Sequence, residues 1–168
     1  MSDLGVEFLR QNNWANEQII DFCEKLDDAV LDATVEGTRG KLRDTMIHMI
    51  ASLNRYHLAL TGSLVDPASP VDERKPWPGF ADLRRAAREF GEALLRLAEA
   101  APDGWEVRSQ YQGKEWRLAG SMVLAQAFSH CTDHRSQIAT ILTQAGVRPP
   151  ELDAWAWGAA TGHMKPAG

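Results

Sequence analysis

Apolar residues recur every three or four positions in four long segments of the chain, which is the spacing of amphipathic helices. The first, second and fourth predicted helices cover about residues 4–26, 40–60 and 118–145. The third begins near Gly79 or Asp82 and runs to about residue 101. Four such helices predict an all-α fold, a four-helix bundle, in a single domain spanning 1–168.

The segments between these helices carry turn residues. Residues 61–80, "TGSLVDPASPVDERKPWPGF", contain a glycine that ends a helix and four prolines, so they predict a long crossover connection on the surface that permits the second and third helices to lie parallel. Residues 105–120, "WEVRSQYQGKEWRLAG", alternate roughly around Gln112-Gly113 and predict either a short extended pair or an irregular loop. The tail, 151–165, predicts a short helical turn that lays a tryptophan against the bundle.

Composition narrows the class of protein. Of 168 residues, 44% are hydrophobic and 24% are charged, which is ordinary for a soluble globular domain. The net charge of −5 and the absence of a basic stripe argue against nucleic acid as a partner. Apolar runs are too short to span a bilayer, and the beginning of the chain lacks a basic-then-apolar leader, so the expected location is the cytoplasm. Cys23 and Cys131 make no disulfide framework and are expected to be buried thiols.

Two histidines stand out in the segment 128–147, "FSHCTDHRSQIATILTQAGV". His130 and His134 are four residues apart, so on a helix they lie on one face about one turn apart, the spacing by which one helix offers two nitrogens to one metal ion. A solvated polar edge is the simpler alternative. A third ligand would come from His48 or His57, which lie about 180° apart around the second helix, and periodicity does not choose between them.

Several neighbouring side chains are candidates for contacting the metal ligands or lining the pocket around them. Gln137 lies on the face of the two histidines, where it either contacts the site or has a purely structural role, and the structural role is favoured. Asp133 either supplies a carboxylate to the metal or forms a solvated ion pair with Arg135. Arg135 either binds an acidic cofactor or forms that ion pair with Asp133. Asn12, with Asn16 one turn later, either lines the pocket or is a polar residue on the exterior of its helix. His163 is expected to lie on the surface.

Three stretches together resemble the DinB / YfiT-like superfamily of four-helix-bundle proteins, and the resemblance covers nearly the whole chain. They are "QNNWANEQIIDFCEKL", "LRDTMIHMIASLNRYHLALTG" and "FSHCTDHRSQIATILTQAGVRPPELD". The resemblance implies a divalent metal held by three histidines, which map onto His48, His130 and His134, and it therefore selects His48 over His57. The chain departs from many relatives at Asp133.

A site of this kind implies a limited set of reactions. Three neutral imidazoles leave coordination positions open and suit zinc or nickel, with no catalytic side chain needed beyond the metal centre. Relatives of this fold include bacillithiol S-transferases and a mycothiol-dependent maleylpyruvate isomerase, so the resemblance implies activation of a low-molecular-weight thiol towards a small-molecule substrate. The alternatives are attack of a metal hydroxide on an amide or ester, and a metal-binding stress-response module without turnover. Because relatives are often homodimers, a homodimer is expected.

Overall fold

A computed structural model of the protein describes residues 3–166, apart from the side chain of Tyr111. The described residues form helices and one antiparallel pair of strands. In chain order the elements are α1 (Asp3–Cys23), α2 (Asp28–Leu31), α3 (Leu42–Thr61), α4 (Phe80–Ala100), β1 (Glu106–Tyr111), β2 (Lys114–Ala119), α5 (Gly120–Gln144) and α6 (Ala154–Thr161). The four predicted long helices correspond to α1, α3, α4 and α5, whereas the one-turn helix α2 has no counterpart in the prediction.

The ends of the long helices follow local backbone chemistry. α1 ends three residues earlier than predicted, because the N–H of Leu26 donates to the carbonyl oxygen of Cys23 in a tighter, three-residue turn. α3 ends at Thr61 and is capped by Gly62, whose φ of 80° is left-handed and whose N–H donates to the carbonyl oxygen of Leu58 at 2.8 Å. A glycine adopts this conformation without a steric penalty from a Cβ atom, so the helix stops where the sequence predicted.

The expectation of an all-α chain is wrong for residues 106–119, which form a β-hairpin. Of the two predicted alternatives for this segment, the extended pair is correct. Gln112 and Gly113 both have positive φ, 51° and 72°, as a two-residue hairpin turn requires, because its twist then matches that of the strands. The hairpin leads directly into α5 at Gly120, where an added Cβ would lie 2.3 Å from the ring of Trp105, so only glycine fits.

The four long helices pack around a shared core. α1 contacts α4 and α5, and α3 contacts the same two helices. The apolar faces that predicted the helices supply the core, and the hydrophobic effect on burying them stabilises the packing. The largest fully buried side chains are Ile19, Ile20, Leu42, Met46, Met49, Ile50, Leu53, Leu83, Phe90, Leu94, Leu124 and Ile138. The contact of α3 with α5 brings the histidines of these two helices towards each other.

The connection between α3 and α4 is anchored to α3 rather than lying free on the surface. The side-chain oxygen of Asn54 accepts the N–H of Val65 at 2.7 Å, and its Nδ2 donates to the carbonyl oxygen of Asp66 at 2.9 Å. Further along, Val71 is buried with 3% of its surface exposed. These contacts fold the connection back along α3, so that the residues after Val71 return to the middle of that helix.

The tail packs against α1, as predicted. Nε2 of Gln11 donates to the carbonyl oxygen of Leu152 at 2.6 Å, and Asp153 caps α6 by accepting the N–H of Ala156. Trp157 is half-buried there, whereas Trp155 is 74% exposed. Among the helices of residues 3–166, none is long and apolar enough to cross a membrane.

Candidate metal centre

Three imidazoles meet where α3 packs against α5. Nε2 of His130 lies 3.1 Å from Nε2 of His48 and 3.2 Å from Nε2 of His134. One nitrogen from each ring falls within a group whose atoms all lie within 4.8 Å of one another. In a tetrahedral zinc site with Zn–N bonds of about 2.0–2.1 Å, two ligand nitrogens would be roughly 3.3 Å apart. The group therefore has dimensions that can hold a divalent ion.

The hydrogen-bonding surroundings of His134 settle which of its nitrogens carries the proton. Nδ1 of His134 lies 3.2 Å from Oε1 of Gln137, and the same oxygen accepts the peptide N–H of Arg39 at 3.0 Å. A peptide N–H only donates, so the atom of Gln137 that faces it is the oxygen, and Nδ1 of His134 must be the donor in the other contact. The Nε2 lone pair of His134 then faces the other two histidines.

A carboxylate performs the corresponding role at His48. Nδ1 of His48 lies 2.9 Å from Oε2 of Glu73, although the ring N–H is not well aligned with this oxygen. A lone pair on Nδ1 would repel the carboxylate at this distance, so the proton of a neutral His48 belongs on Nδ1 and the Nε2 lone pair also faces the cluster. The sequence analysis missed Glu73, because it lies in the irregular connection and no periodicity relates it to His48.

Glu73 is held in place by two arginines. Oε1 accepts from Nη1 of Arg55 at 2.8 Å, and Oε2 accepts from Nη2 of Arg39. Burial disfavours ionisation of Glu73, but His48 and the two guanidinium groups outweigh it and lower the pKa of the carboxyl group. Arg39 therefore touches the partners of two histidines at once, since its peptide group meets Gln137 and its side chain meets Glu73.

The three rings are neutral near pH 7. Burial, together with the neighbouring His134 and His48, lowers the pKa of His130 to about 4. Burial also lowers the pKa values of His48 and His134. A neutral His130 has at most one proton on Nε2, yet two lone pairs face that atom. At least one of the two close N···N contacts therefore has no proton to share, and a bound cation would relieve the repulsion.

The remaining predicted site residues fall into separate places. Asp133 is exposed, and Arg135 does not pair with it. Instead Arg135 is buried on the α1 side of α5, where Nη1 donates to Oδ1 of Asn12 at 2.7 Å and to Oδ1 of Asn16 at 2.5 Å. Of the proposed outer residues, Gln137 thus contacts a histidine of the cluster, while Arg135 and Asn12 contact each other.

The other candidate residues lie outside the cluster. Nδ1 of His57 is 2.8 Å from the carbonyl oxygen of Ser63, at the end of α3. His163 is exposed and its ring stacks on Trp157, with 4.5 Å between the ring centroids. Cys131 is fully buried next to Asn16, as the sequence analysis expected of a core thiol, and burial raises its pKa.

The fold and these side chains define a class: a mostly helical protein with a three-histidine group that can hold a divalent metal ion. The model of the DinB family matches residues 1–163, and the chain belongs to this family. The resemblance seen in the sequence is thereby confirmed. A search of curated proteins found no match.

The metal-free protein is expected to lose stability as the pH falls below 6.5. An unfolded histidine takes up a proton near pH 6.5, whereas folded His130 resists protonation until about pH 4. Between these values the unfolded state binds more protons, so the free energy of unfolding decreases as the pH falls and is independent of this group above 6.5. Urea denaturation of chelator-treated protein at several pH values between about 7 and 5 measures how the free energy of unfolding changes with pH. This interval lies largely above the pKa values of ordinary carboxyl groups, so histidines dominate the change. A His130→Gln variant with the same slope would contradict the assignment.

Proposed function

We propose that this DinB-family protein binds a zinc or nickel ion through His48, His130 and His134, and that it is an enzyme that activates a small thiol for transfer to a small-molecule electrophile. The observation that carries the metal assignment is the convergence of three Nε2 atoms with too few protons to satisfy them. We further propose that the four long helices form the four-helix bundle typical of this fold, with the connection after α3 as its crossover.

The donor set supports reaction chemistry rather than a purely structural ion. The group consists of three histidines, with no cysteine or carboxylate in it among residues 3–166. Three protein ligands leave a coordination position open, and neutral ligands leave the full charge of the ion in place. When bound, a divalent ion there would act as a Lewis acid that lowers the pKa of a coordinated thiol or water.

The surroundings favour a thiol that arrives from outside the chain. Cys131 is fully buried and faces α1, and Cys23 is fully buried in the core with a pKa raised to about 12. Neither sulfur joins the histidine group, so a reacting thiol must belong to a small molecule. Beside the rings, Arg39 and Arg55 both pair with Glu73, so two positive charges against one negative charge leave a net positive charge that favours an anionic thiolate. Tyr56 packs edge-on against His130 with 5.7 Å between the ring centroids.

The proposal predicts metal-dependent turnover that needs the cluster. Purified protein is expected to contain about one divalent ion per chain by elemental analysis, and to conjugate at least one low-molecular-weight thiol to an electrophile. In a His130→Ala variant both the ion and the turnover should be lost, because two nitrogens on one side hold an ion far more weakly than three. Assays would pair several thiols with electrophilic, ester and amide substrates.

The outcomes separate the alternatives. Metal-dependent hydrolysis of an ester or amide without thiol conjugation would replace the transferase with a hydrolase. Tightly bound metal with no turnover on any substrate would favour a metal-binding module. Protein that binds no divalent ion would refute the proposal as a whole.

A homodimer remains part of the proposal. Leu4 and Phe8 on α1 are 63% and 48% exposed, and Met122 on α5 is 48% exposed, so the two helices offer apolar surface to a second copy. The molecular mass by light scattering distinguishes a dimer from a monomer.

A further inference from the structure

The polar partners of the histidines come from three different parts of the chain. Gln137 lies on α5, Arg39 in the segment before α3, and Glu73 in the long connection after α3. Among residues 3–166, Glu73 is the only residue with a carboxylate oxygen within 4 Å of a ring nitrogen of a cluster histidine. A ligating imidazole commonly gives its second N–H to such a carboxylate, which fixes the ring orientation and raises the basicity of the ligating nitrogen.

We propose that Glu73 is a positioning residue of the metal centre, which holds the proton of His48 on Nδ1 and so presents Nε2 to the ion. The proposal rests on the metal-binding function proposed above. It gives the connection after α3 a defined role, since this segment carries the carboxylate that orients His48.

Several contacts fix the position of Glu73. Both ends of the Asn54 amide hold the connection to α3, and Val71, two positions before Glu73, is buried in the hydrophobic core, which restricts where Glu73 can lie. The side chain of Glu73 is only 28% exposed and meets three basic groups, whereas an ordinary surface ion pair joins two long, mobile side chains. These contacts hold its carboxylate beside His48.

Arg39 couples this arrangement to a second ligand. Its guanidinium group bonds Glu73 and its peptide N–H bonds Oε1 of Gln137, the oxygen that faces Nδ1 of His134. One residue thus supports the orienting partners of both His48 and His134. Nδ1 of His130 and Nδ1 of His48 are both buried, and neither makes a well-aligned hydrogen bond among residues 3–166. Of the two, only Nδ1 of His48 lies close to a carboxylate oxygen, Oε2 of Glu73 at 2.9 Å. The side chains of Glu73 and Gln137 therefore orient the rings of His48 and His134.

The test compares Glu73→Ala and Glu73→Gln with the wild-type protein in two measurements. In metal-free protein, ¹⁵N NMR of the imidazole nitrogens is expected to show a protonated Nδ1 on His48 in the wild type, and a shift towards protonated Nε2 in Glu73→Ala. In competition titrations with a chelator, the zinc affinity of Glu73→Ala is expected to fall about 10–100-fold. Glu73→Gln keeps an acceptor oxygen of the same shape without its charge, so its loss should be smaller.

Asp72→Asn is the matched control, because it removes the neighbouring carboxylate of the same connection. The oxygens of Asp72 bond Arg74 and touch no histidine of the cluster. Its zinc affinity and His48 tautomer should equal those of the wild type. Glu73→Ala and Glu73→Gln spectra and affinities that match the control would overturn the inference. A wild-type protein without metal affinity would instead refute the proposed function, while the metal-free spectra would still decide whether Glu73 sets the His48 tautomer.

Discussion

Replacing any one of His48, His130 and His134 with alanine is expected to lower the affinity for a divalent metal ion by more than about 100-fold. The loss of an outer hydrogen-bond partner alone costs about 10–100-fold at many metal sites, and loss of a ligand should exceed that. The three Nε2 atoms contribute to one group, so the effect should be similar in kind at each position even though the histidines come from two helices. Competition titration of purified variants with a chromophoric chelator measures the affinity.

His57→Ala is the control for this series. It lies on the same helix as His48, but Nδ1 of His57 contacts the carbonyl oxygen of Ser63 at the helix end rather than the cluster. Its metal affinity should stay near that of the wild type. If His57→Ala and His48→Ala lost affinity equally, the assignment of His48 as the α3 ligand would be wrong.

Arg135→Met is expected to destabilise the fold by about 2 kcal/mol while leaving metal affinity nearly unchanged. The substitution leaves the buried side-chain oxygens of Asn12 and Asn16 without their donor, and each unsatisfied group costs about 1–3 kcal/mol. Removing a buried cation returns part of this cost, because burial disfavours the charge and lowers the pKa of Arg135. In a domain of this size the melting temperature should fall by about 4–8 °C.

Thermal unfolding and metal titration of the same Arg135→Met sample test this directly. Thr132→Val, which removes only the hydroxyl that Nη2 of Arg135 meets at 3.0 Å, should cost less, on the order of 1 kcal/mol. A folded Arg135→Met protein that has lost its metal would show that this arginine belongs to the metal site. It would then revive the sequence-based hypothesis that Arg135 lies there to meet an acidic cofactor.

The comparison of Arg135 with Gln137 shows how far helical periodicity reaches. Both follow His134 closely, and the sequence analysis proposed both as neighbours of the site. Gln137, three residues after His134, lies on the same helix face and contacts it. Arg135 is one residue after His134 and so points about 100° away, towards α1. Its side chain meets Asn12 and Asn16 there, which explains these two buried asparagines without any role in metal binding.

The hairpin shows where the pattern alone left a choice. Alternation around Gln112-Gly113 was compatible with an extended pair or an irregular loop, because a short alternating stretch is a weak signal without a partner strand in a core. The structure pairs β1 with β2 and rests them on α3 and α5, and that packing stabilises a two-stranded sheet that would be marginal alone.

By itself the sequence determined the features that depend on near neighbours along the chain: four long helices, their apolar faces, the glycine that ends α3, and a histidine pair one turn apart at 130 and 134. Local backbone geometry connects such residues directly, so spacing is enough to read them. Helical spacing left His48 and His57 open and only the family resemblance implied His48; the tertiary structure shows that His48 faces that pair. Only the tertiary structure decided that Glu73 and Arg39 contact the histidines and their partners. These contacts join segments tens of residues apart, and they depend on how α3 packs against α5 and how the connection folds back, which no local period encodes.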